Sequence, residues 1–208
     1  MGILDLLFPH PCIYCGSFVK TDRFGLCRKC AVSLPMKLNH RRNTTFLFEY
    51  DKRIASLLKT SKYAGKPYYV RMLATLMGKL MYDMGCSYDI VTFVPMHRKS
   101  FITRGYNQSK VAARAVSGEL GVPLCEGAIF KIKGNKKQAG LGKAERKTNV
   151  RGVYKADGGT VNGKRILLVD DIMTTGSTLD ECERELRYAG ATEVTRAVIA
   201  YTPVGRKR

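Results

Sequence analysis

The sequence lacks any hydrophobic run that approaches the ~20 residues of a membrane-spanning helix. Its amino-terminal segment is apolar but short, has no basic start and contains Asp5, so it does not form a convincing signal peptide. These absences favour a cytoplasmic protein without a membrane span. No residue stands out as a general acid or base either, so proton-transfer catalysis has no obvious candidate.

Acidic residues are scarce as well. The 208 residues include 36 Lys and Arg but only 17 Asp and Glu, which gives a formal net charge of +19. A field of that sign attracts polyanions and anionic substrates, and it makes their association salt-dependent. A well-solvated basic surface without a nucleic-acid ligand is the alternative. The length suffices for one α/β domain with a small appendage.

Four of the seven cysteines lie near the amino terminus in two C-x2-C pairs, Cys12 with Cys15 and Cys27 with Cys30. Each pair places two thiolates on one tight turn, and two such turns form the tetrahedral sulfur shell that suits Zn²⁺. Disulfides or a redox C-x2-C are the competing interpretations, but a cytosolic setting disfavours disulfides. We expect a closed, structural zinc site that stabilises a segment too small for its own core.

The most informative stretch runs from residue 165 to residue 179. The apolar residues 166–169 predict a strand buried on both faces of a parallel sheet, and Asp170 and Asp171 follow at its carboxyl end. We expect the two side chains to leave the strand end in different directions. Carboxylates at this position lie in the crevice where such sheets bind ligands. They can accept hydrogen bonds from sugar hydroxyls directly or through Mg²⁺.

A hydroxyl-rich loop follows the two carboxylates, and a helix is predicted to begin near Ser177. The loop offers hydroxyls, a glycine that allows close backbone approach, and free amides at the helix start: Thr174, Thr175, Gly176, Ser177 and Thr178. This combination suits a phosphate monoester, so the whole stretch predicts a ribose 5-phosphate site. A capped helix after a core strand is the alternative. The stretch resembles the phosphoribosyl pyrophosphate (PRPP) motif of type I phosphoribosyltransferases.

The remaining segments surround this motif. Residues 34–43 read as a linker, and strands are predicted at 45–50, 88–95, 128–132 and 194–201, with helices over 54–61, 69–81 and 111–120. A basic loop after the second strand carries His97, Arg98 and Arg104, which could meet a pyrophosphate if that strand neighbours the PRPP strand. A solvated basic loop is the alternative. The polar, glycine-rich residues 133–149 could close over an anionic ligand, or could be disordered without a function.

Several features together resemble the competence protein F family across nearly the whole chain. They are the four-cysteine segment, Val94-Pro95-Met96-His97, Arg104-Gly105-Tyr106-Asn107-Gln108, Gln138 with Arg146 and Asn149, and the PRPP motif. The resemblance implies a zinc ribbon (residues 1–35), a type I phosphoribosyltransferase fold (residues 44–204) with a mostly parallel sheet flanked by helices, and a basic tail (residues 205–208). It also implies a part in the uptake of single-stranded DNA during natural transformation.

Two functions remain open at this level. The first is a PRPP–Mg²⁺-binding protein of DNA uptake, with single-stranded DNA stacked on aromatics such as Tyr63, Tyr68 or Tyr106. The second is an active transferase that moves phosphoribose from PRPP to a nucleobase or amine and releases pyrophosphate, a good leaving group. In either case the ribbon could dock a competence helicase or a membrane DNA channel protein.

Overall fold

A computed structural model describes residues 11–33, 37–41, 43–63, 67–132 and 152–203, with the backbone alone at Tyr63, Arg98 and Lys99. The amino-terminal residues 1–10, the predicted loop at 133–149 and the predicted basic tail at 205–208 lie outside the described residues. The elements in chain order are α1 (Arg28–Ser33), β1 (Asn39–Arg41), β2 (Thr44–Glu49), α2 (Lys52–Tyr63), α3 (Tyr68–Asp83), β3 (Ile90–Phe93), α4 (Arg98–Arg104), α5 (Gln108–Leu120), β4 (Ile129–Lys131), β5 (Tyr154–Ala156), α6 (Gly158–Val161), β6 (Arg165–Met173), α7 (Ser177–Tyr188) and β7 (Glu193–Tyr201).

The main sheet has the strand order β1-β2-β7-β6-β3. Strands β2, β7, β6 and β3 run parallel, and β1 pairs antiparallel with β2 at one edge. This arrangement confirms the predicted mostly parallel central sheet. The predicted linker is corrected in part, because residues 39–41 form the edge strand β1. Their polar sequence, Asn-His-Arg, gives no apolar alternation, so only the pairing with β2 reveals the strand.

Apolar residues cover the sheet on both faces, as the continuous apolar run of β6 predicts. Leu167 and Val169 belong to a core shared with α2, α3 and α5. Ile166 and Leu168 belong to a second core shared with α7 and the β4–β5 hairpin. Because successive strand residues point to opposite faces, one strand fills both cores. The helices predicted from 3.6-residue periodicity are present, and α5 and α7 lie on opposite faces of the sheet.

Residues 11–33 pack directly onto the first of these cores. Ile13 and Leu26 are buried in the same cluster as the apolar side of α3. A methyl group at Gly25 would lie 2.9 Å from both the Ile13 Cγ2 and the Tyr68 hydroxyl, so the chain approaches α3 closely there. Arg23 donates to Glu119 of α5 at 2.6 Å. The segment is therefore held against the helices α3 and α5.

The basic segment after β3 differs from the sequence prediction. It was expected as a loop through residue 108, but Arg98–Arg104 form the helix α4. A helix of seven residues carries too few turns to show an apolar period, which is why the pattern did not reveal it. Across the described ranges, no helix is both long and apolar enough to cross a membrane.

Candidate functional site

The two predicted carboxylates lie at the carboxyl edge of the sheet, but inside a strand. Apolar character ends at Val169, whereas β6 continues to Met173 through its pairing with β7, where Asp170 lies opposite Val198 and Met173 opposite Tyr201. The expectation that the carboxylates leave the end of the strand is therefore corrected. The strand continues past its apolar residues because its backbone still forms hydrogen bonds with β7 as far as Met173.

Asp170 is held by two donors on the same oxygen. The Ser109 hydroxyl donates to Asp170 Oδ1 at 2.7 Å, and the Asp171 amide donates to that atom at 2.9 Å. Burial of the carboxyl, and then the neighbouring charge of Asp171, raise the pKa of Asp170 to about 8. Asp171 uses its own Oδ1 to accept from the Ile172 amide at 2.8 Å. Each carboxyl thus has its Oδ1 fixed by local donors.

Ser109 reaches Asp170 because the start of α5 is anchored beside the end of β3. Asn107 caps the helix by accepting from the Ser109 amide at 3.0 Å, and its Nδ2 donates to the Val94 carbonyl at 3.1 Å. Gln108 donates to the Leu58 carbonyl at 3.2 Å, which ties α5 to α2. The Arg104–Gln108 motif therefore positions a hydroxyl on a predicted site carboxylate. Sequence reasoning missed Ser109, and the only signal was its place one residue beyond that motif.

The predicted phosphate loop joins β6 to the amino terminus of α7. Gly176 has a left-handed φ of +81°, a backbone conformation that other residues rarely adopt, so the turn favours glycine. The Thr175 and Ser177 hydroxyls are 3.1 Å apart. The helix begins at Ser177 as predicted. The structure therefore brings together the hydroxyls and helix start that the sequence placed in one site.

The basic residues after β3 start from the same edge of the sheet. Strand β3 pairs with β6, Phe93 lying opposite Val169, which fulfils the condition on which the pyrophosphate prediction depended. His97 directly precedes α4, and Arg104 is its last residue. The structure does not describe the Arg98 side chain, so the role predicted for Arg98 rests on the sequence alone. Roles for these three residues stay predictions.

The four amino-terminal cysteines form one cluster. Cys12, Cys15, Cys27 and Cys30 place their sulfur atoms within 4.8 Å of one another. Cys15 Sγ and Cys27 Sγ are 3.8 Å apart, close to the edge of a sulfur tetrahedron around zinc with Zn–S bonds of about 2.3 Å. Hydrogen bonding with Ser17 lowers the pKa of Cys15 to about 6. The four sulfur donors fit a structural zinc site. In the sequence, these cysteines are far from the carboxylates at 170 and 171.

The tyrosines named for base stacking differ in their surroundings. Tyr68 packs edge-on against Tyr69, with ring centroids 5.8 Å apart. Tyr106 is partly buried, and its hydroxyl donates to the Ser61 carbonyl. The side chain of Tyr63 falls outside the described ranges. Of the two tyrosines whose side chains are described, Tyr106 belongs to the Arg104–Gln108 motif and lines an open cavity.

Comparison with known proteins agrees with this fold and these motifs. Residues 107–208 match the phosphoribosyl transferase domain family. Competence protein F of Haemophilus influenzae is 26% identical over 196 residues, which cover 90% of this chain and 82% of that protein. The DNA utilization protein YhgH of Escherichia coli K12 is 29% identical over 106 residues, 51% of this chain and 46% of that protein.

Two solved structures also resemble the chain. The glutamine PRPP amidotransferase from B. subtilis, complexed with ADP and GMP, is 27% identical with a TM-score of 0.44, covering 62% of this chain and 26% of that one. Adenine phosphoribosyltransferase from Leishmania tarentolae is 14% identical with a TM-score of 0.45, covering 79% and 94%. The resemblance identified from the sequence is confirmed: this chain is similar to competence protein F over 90% of its length, and residues 107–208, which follow an amino-terminal four-cysteine cluster, match the phosphoribosyl transferase domain family.

Proposed function

We propose that the β6–α7 site binds PRPP with Mg²⁺ and that the protein acts in DNA uptake during natural transformation. The observation that carries the ligand assignment is the succession of two carboxylates, a left-handed glycine turn and a helix start at the carboxyl edge of a parallel sheet. Ligands bind at this edge in open α/β sheets. The match to the phosphoribosyl transferase domain family covers the whole of this site.

Each part of PRPP has a matching group in this proposal. Asp170 and Asp171 accept hydrogen bonds from the ribose hydroxyls. The amides at the start of α7 and the hydroxyls of residues 174–178 donate to the 5-phosphate. The basic side chains that follow β3 meet the pyrophosphate, for which guanidinium groups supply paired donors; these are His97, Arg98 and Arg104.

The donor set also fits the proposed metal ions. Mg²⁺ is bound in proteins by one or two carboxylates together with substrate oxygens, and Asp170 and Asp171 supply carboxylates next to the expected ribose. When bound, Mg²⁺ would neutralise charge on the pyrophosphate. At the other end of the chain, the four-cysteine cluster would hold a structural Zn²⁺, which stabilises the fold and leaves no open coordination position for catalysis.

The role in transformation rests on the relatives and on the charge. One relative is a competence protein and another a DNA utilization protein. The net charge of +19 favours association with single-stranded DNA. In this proposal the protein works in the cytoplasm, and its ribbon docks a competence helicase or a membrane DNA channel protein. Phe18 and Val32 are exposed on this segment, so replacing them with alanine should weaken the docking and leave PRPP binding intact.

Calorimetric titration of the zinc-loaded, full-length protein with PRPP and Mg²⁺ tests the ligand assignment. We expect saturable binding that falls at least tenfold in Asp171→Asn, because this change keeps the shape of the side chain and removes its charge. Asp83→Asn, an exposed site on α3, is the matched control and should bind as the unchanged protein does. Equal binding by Asp171→Asn, with bound zinc and an unchanged melting temperature, would contradict the assignment.

A second candidate is phosphoribosyl transfer itself, which the family match favours. The acceptor would be a nucleobase or an amine, and its nitrogen would form a bond to the ribose anomeric carbon as the bond to pyrophosphate breaks. Pyrophosphate release that requires both PRPP and an added acceptor would support transfer. If the protein binds PRPP but releases no pyrophosphate with any of a panel of nucleobases and amines, the binding function stands and transfer to those acceptors is excluded.

A further inference from the structure

A cavity of about 410 Å³ lies between the helices α3, α4 and α5. Its size is within the range of ligand-binding clefts, about 300–1,000 Å³. Its wall combines cationic and aromatic side chains: Arg71, Phe101, Tyr106, Lys110 and Arg114. None of these residues belongs to the PRPP site proposed above. The cavity therefore requires an explanation of its own.

The cations on this wall outnumber the carboxylate that pairs with them. Lys110 and Arg114 lie one turn apart on α5, and Glu126 accepts from both, at 2.6 and 3.0 Å. Arg71 adds a third positive charge from α3. The side chains of Lys110 and Arg114 are 36% and 68% exposed, so both can exchange the carboxylate for another anion. The cavity thus attracts an anion of at least one negative charge.

The aromatic side chains give the same cavity a flat apolar wall. Phe101 of α4 is 48% exposed, so its ring is accessible to a ligand in the cavity. Tyr106 is more enclosed, and its hydroxyl bond to the Ser61 carbonyl fixes the ring. A ring fixed before binding loses little entropy when a ligand stacks on it. The wall therefore suits a planar, apolar group next to an anion.

The geometry points to a nucleotide-binding site in this cavity, which takes one nucleotide of a single strand, with the phosphate at Arg71, Lys110 and Arg114 and the base against Phe101 and Tyr106. This inference rests on the proposed role in DNA uptake and gives that role a location. An acidic peptide would satisfy the cations but would leave the aromatic wall unused. A free nucleotide shares the same chemistry, so the experiment must separate it from a strand.

The cavity and the PRPP site share the helix α5, and Asn107, which anchors Ser109, also borders the cavity. Ser109 contacts Asp170, whereas Lys110 and Arg114 line the cavity. Neighbouring positions on a helix are rotated by about 100°, so α5 presents the two sites in different directions. Variants of the cavity can therefore be tested for PRPP binding as well, which separates the inference from the proposal on which it rests.

Fluorescence anisotropy of the full-length, zinc-loaded protein with a labelled oligo-dT of about 12 nucleotides is the test, at several salt concentrations. Arg71→Ala should weaken binding about fivefold and reduce the salt slope by about 0.7, the value for one lost contact to a single strand. Lys79→Ala is the control, since it also removes one positive charge from α3 but lies outside the cavity lining. It should change the affinity less than twofold.

Two further variants test the aromatic wall and the competing carboxylate. Phe101→Ala should weaken binding about tenfold without changing the salt slope, whereas Ile102→Ala, which removes a 73% exposed side chain from the same helix, should have little effect. Glu126→Gln should strengthen binding about threefold or more, because it releases Lys110 and Arg114. A gain of affinity cannot be produced by loss of folding.

The outcomes distinguish the inference from the proposed function. Oligonucleotide binding that is unchanged in Arg71→Ala, Phe101→Ala and Glu126→Gln overturns the cavity as the site but leaves the DNA-uptake role standing. No oligonucleotide binding by the unchanged protein overturns both. Equal affinity for dTMP and the oligonucleotide overturns the single strand as occupant, and equal affinity for oligo-glutamate overturns the nucleotide. Retained PRPP binding in the cavity variants is expected in every case.

Discussion

The hydrogen bond between Ser109 and Asp170 gives the sharpest test of the proposed PRPP site. Ser109 is 6% exposed, and its hydroxyl donates to Asp170 Oδ1 at 2.7 Å across 61 residues of sequence. Replacement by alanine removes this donor, and because the alanine side chain has no polar atom, it adds no new unpaired group at position 109. The Asp171 amide still donates to the same oxygen at 2.9 Å, so the carboxyl keeps one of its two donors.

The size of the effect follows from this loss. The raised pKa of Asp170 keeps its carboxyl mostly neutral in the free protein near pH 7, whereas the proposed complex with Mg²⁺ requires the carboxylate. A hydrogen bond contributes about 0.5–1.5 kcal/mol when its acceptor is neutral and about 1.5–3 kcal/mol when the acceptor is ionised, so loss of the Ser109 donor should cost binding about 1–2 kcal/mol. Since 1.4 kcal/mol corresponds to about tenfold in affinity, Ser109→Ala should weaken the binding of PRPP with Mg²⁺ by about 5- to 30-fold. Calorimetric titration measures this directly. Ser109→Thr keeps the hydroxyl and should restore most of the affinity.

Ser117→Ala is the matched control. Ser117 lies on the same helix, and its hydroxyl donates to the Val122 carbonyl at 2.6 Å, away from the site. It should lower the free energy of unfolding by about 1 kcal/mol and leave the affinity for PRPP unchanged. Unchanged binding in Ser109→Ala, or an equal loss in Ser117→Ala, would refute the argument that Ser109 positions Asp170.

Three other perturbations follow from the structure. Cys30→Ser should abolish bound zinc, seen by metal analysis, and lower the melting temperature by about 5 °C or more, because the cluster lies in a common core with α3. Hydrogen bonds from Arg165 lower the pKa of Asp89 to about 2. The stability that this pair contributes is therefore fully present above the unfolded pKa near 4 and is lost as the pH falls to about 2. Asp89→Asn should remove this loss of stability between pH 4 and pH 2, which thermal melts at several pH values would measure. Gly78→Ala should lower the free energy of unfolding by about 1–2 kcal/mol in urea titrations, since its methyl group would lie 3.0 Å from the Val116 Cα.

The controls for the cysteine and glycine variants are a cysteine outside the cluster and a second helical glycine. Cys86→Ser changes a partly buried cysteine outside the cluster and should leave bound zinc unchanged. Gly118→Ala on α5 meets no atom within 4 Å and should stabilise the protein by about 0.5–1 kcal/mol. If Gly118→Ala destabilised the protein as much as Gly78→Ala does, the argument that the methyl group at Gly78 collides with Val116 would be contradicted. A constant difference between the unchanged protein and Asp89→Asn from pH 2 to pH 5 would contradict the pKa argument.

The sequence by itself determined the features that depend on local spacing. Two C-x2-C pairs bring four thiolates together wherever the segment folds, and the apolar periods of α3 and β6 identify these elements without knowledge of their neighbours. The carboxylates and the hydroxyl loop were readable for the same reason, since the strand, turn and helix that carry them are consecutive. The resemblance to the competence protein F family rested on these local motifs and was confirmed.

Only the tertiary structure could decide which distant residues meet. Strand β6 extends past its apolar run because β7 pairs with it, and the polar β1 is a strand only because β2 lies beside it. Ser109 reaches Asp170 because Asn107 fixes the start of α5 at the end of β3, and the cavity exists because α3, α4 and α5 converge. Such contacts depend on how separate elements pack, and residue spacing along the chain carries no record of that packing.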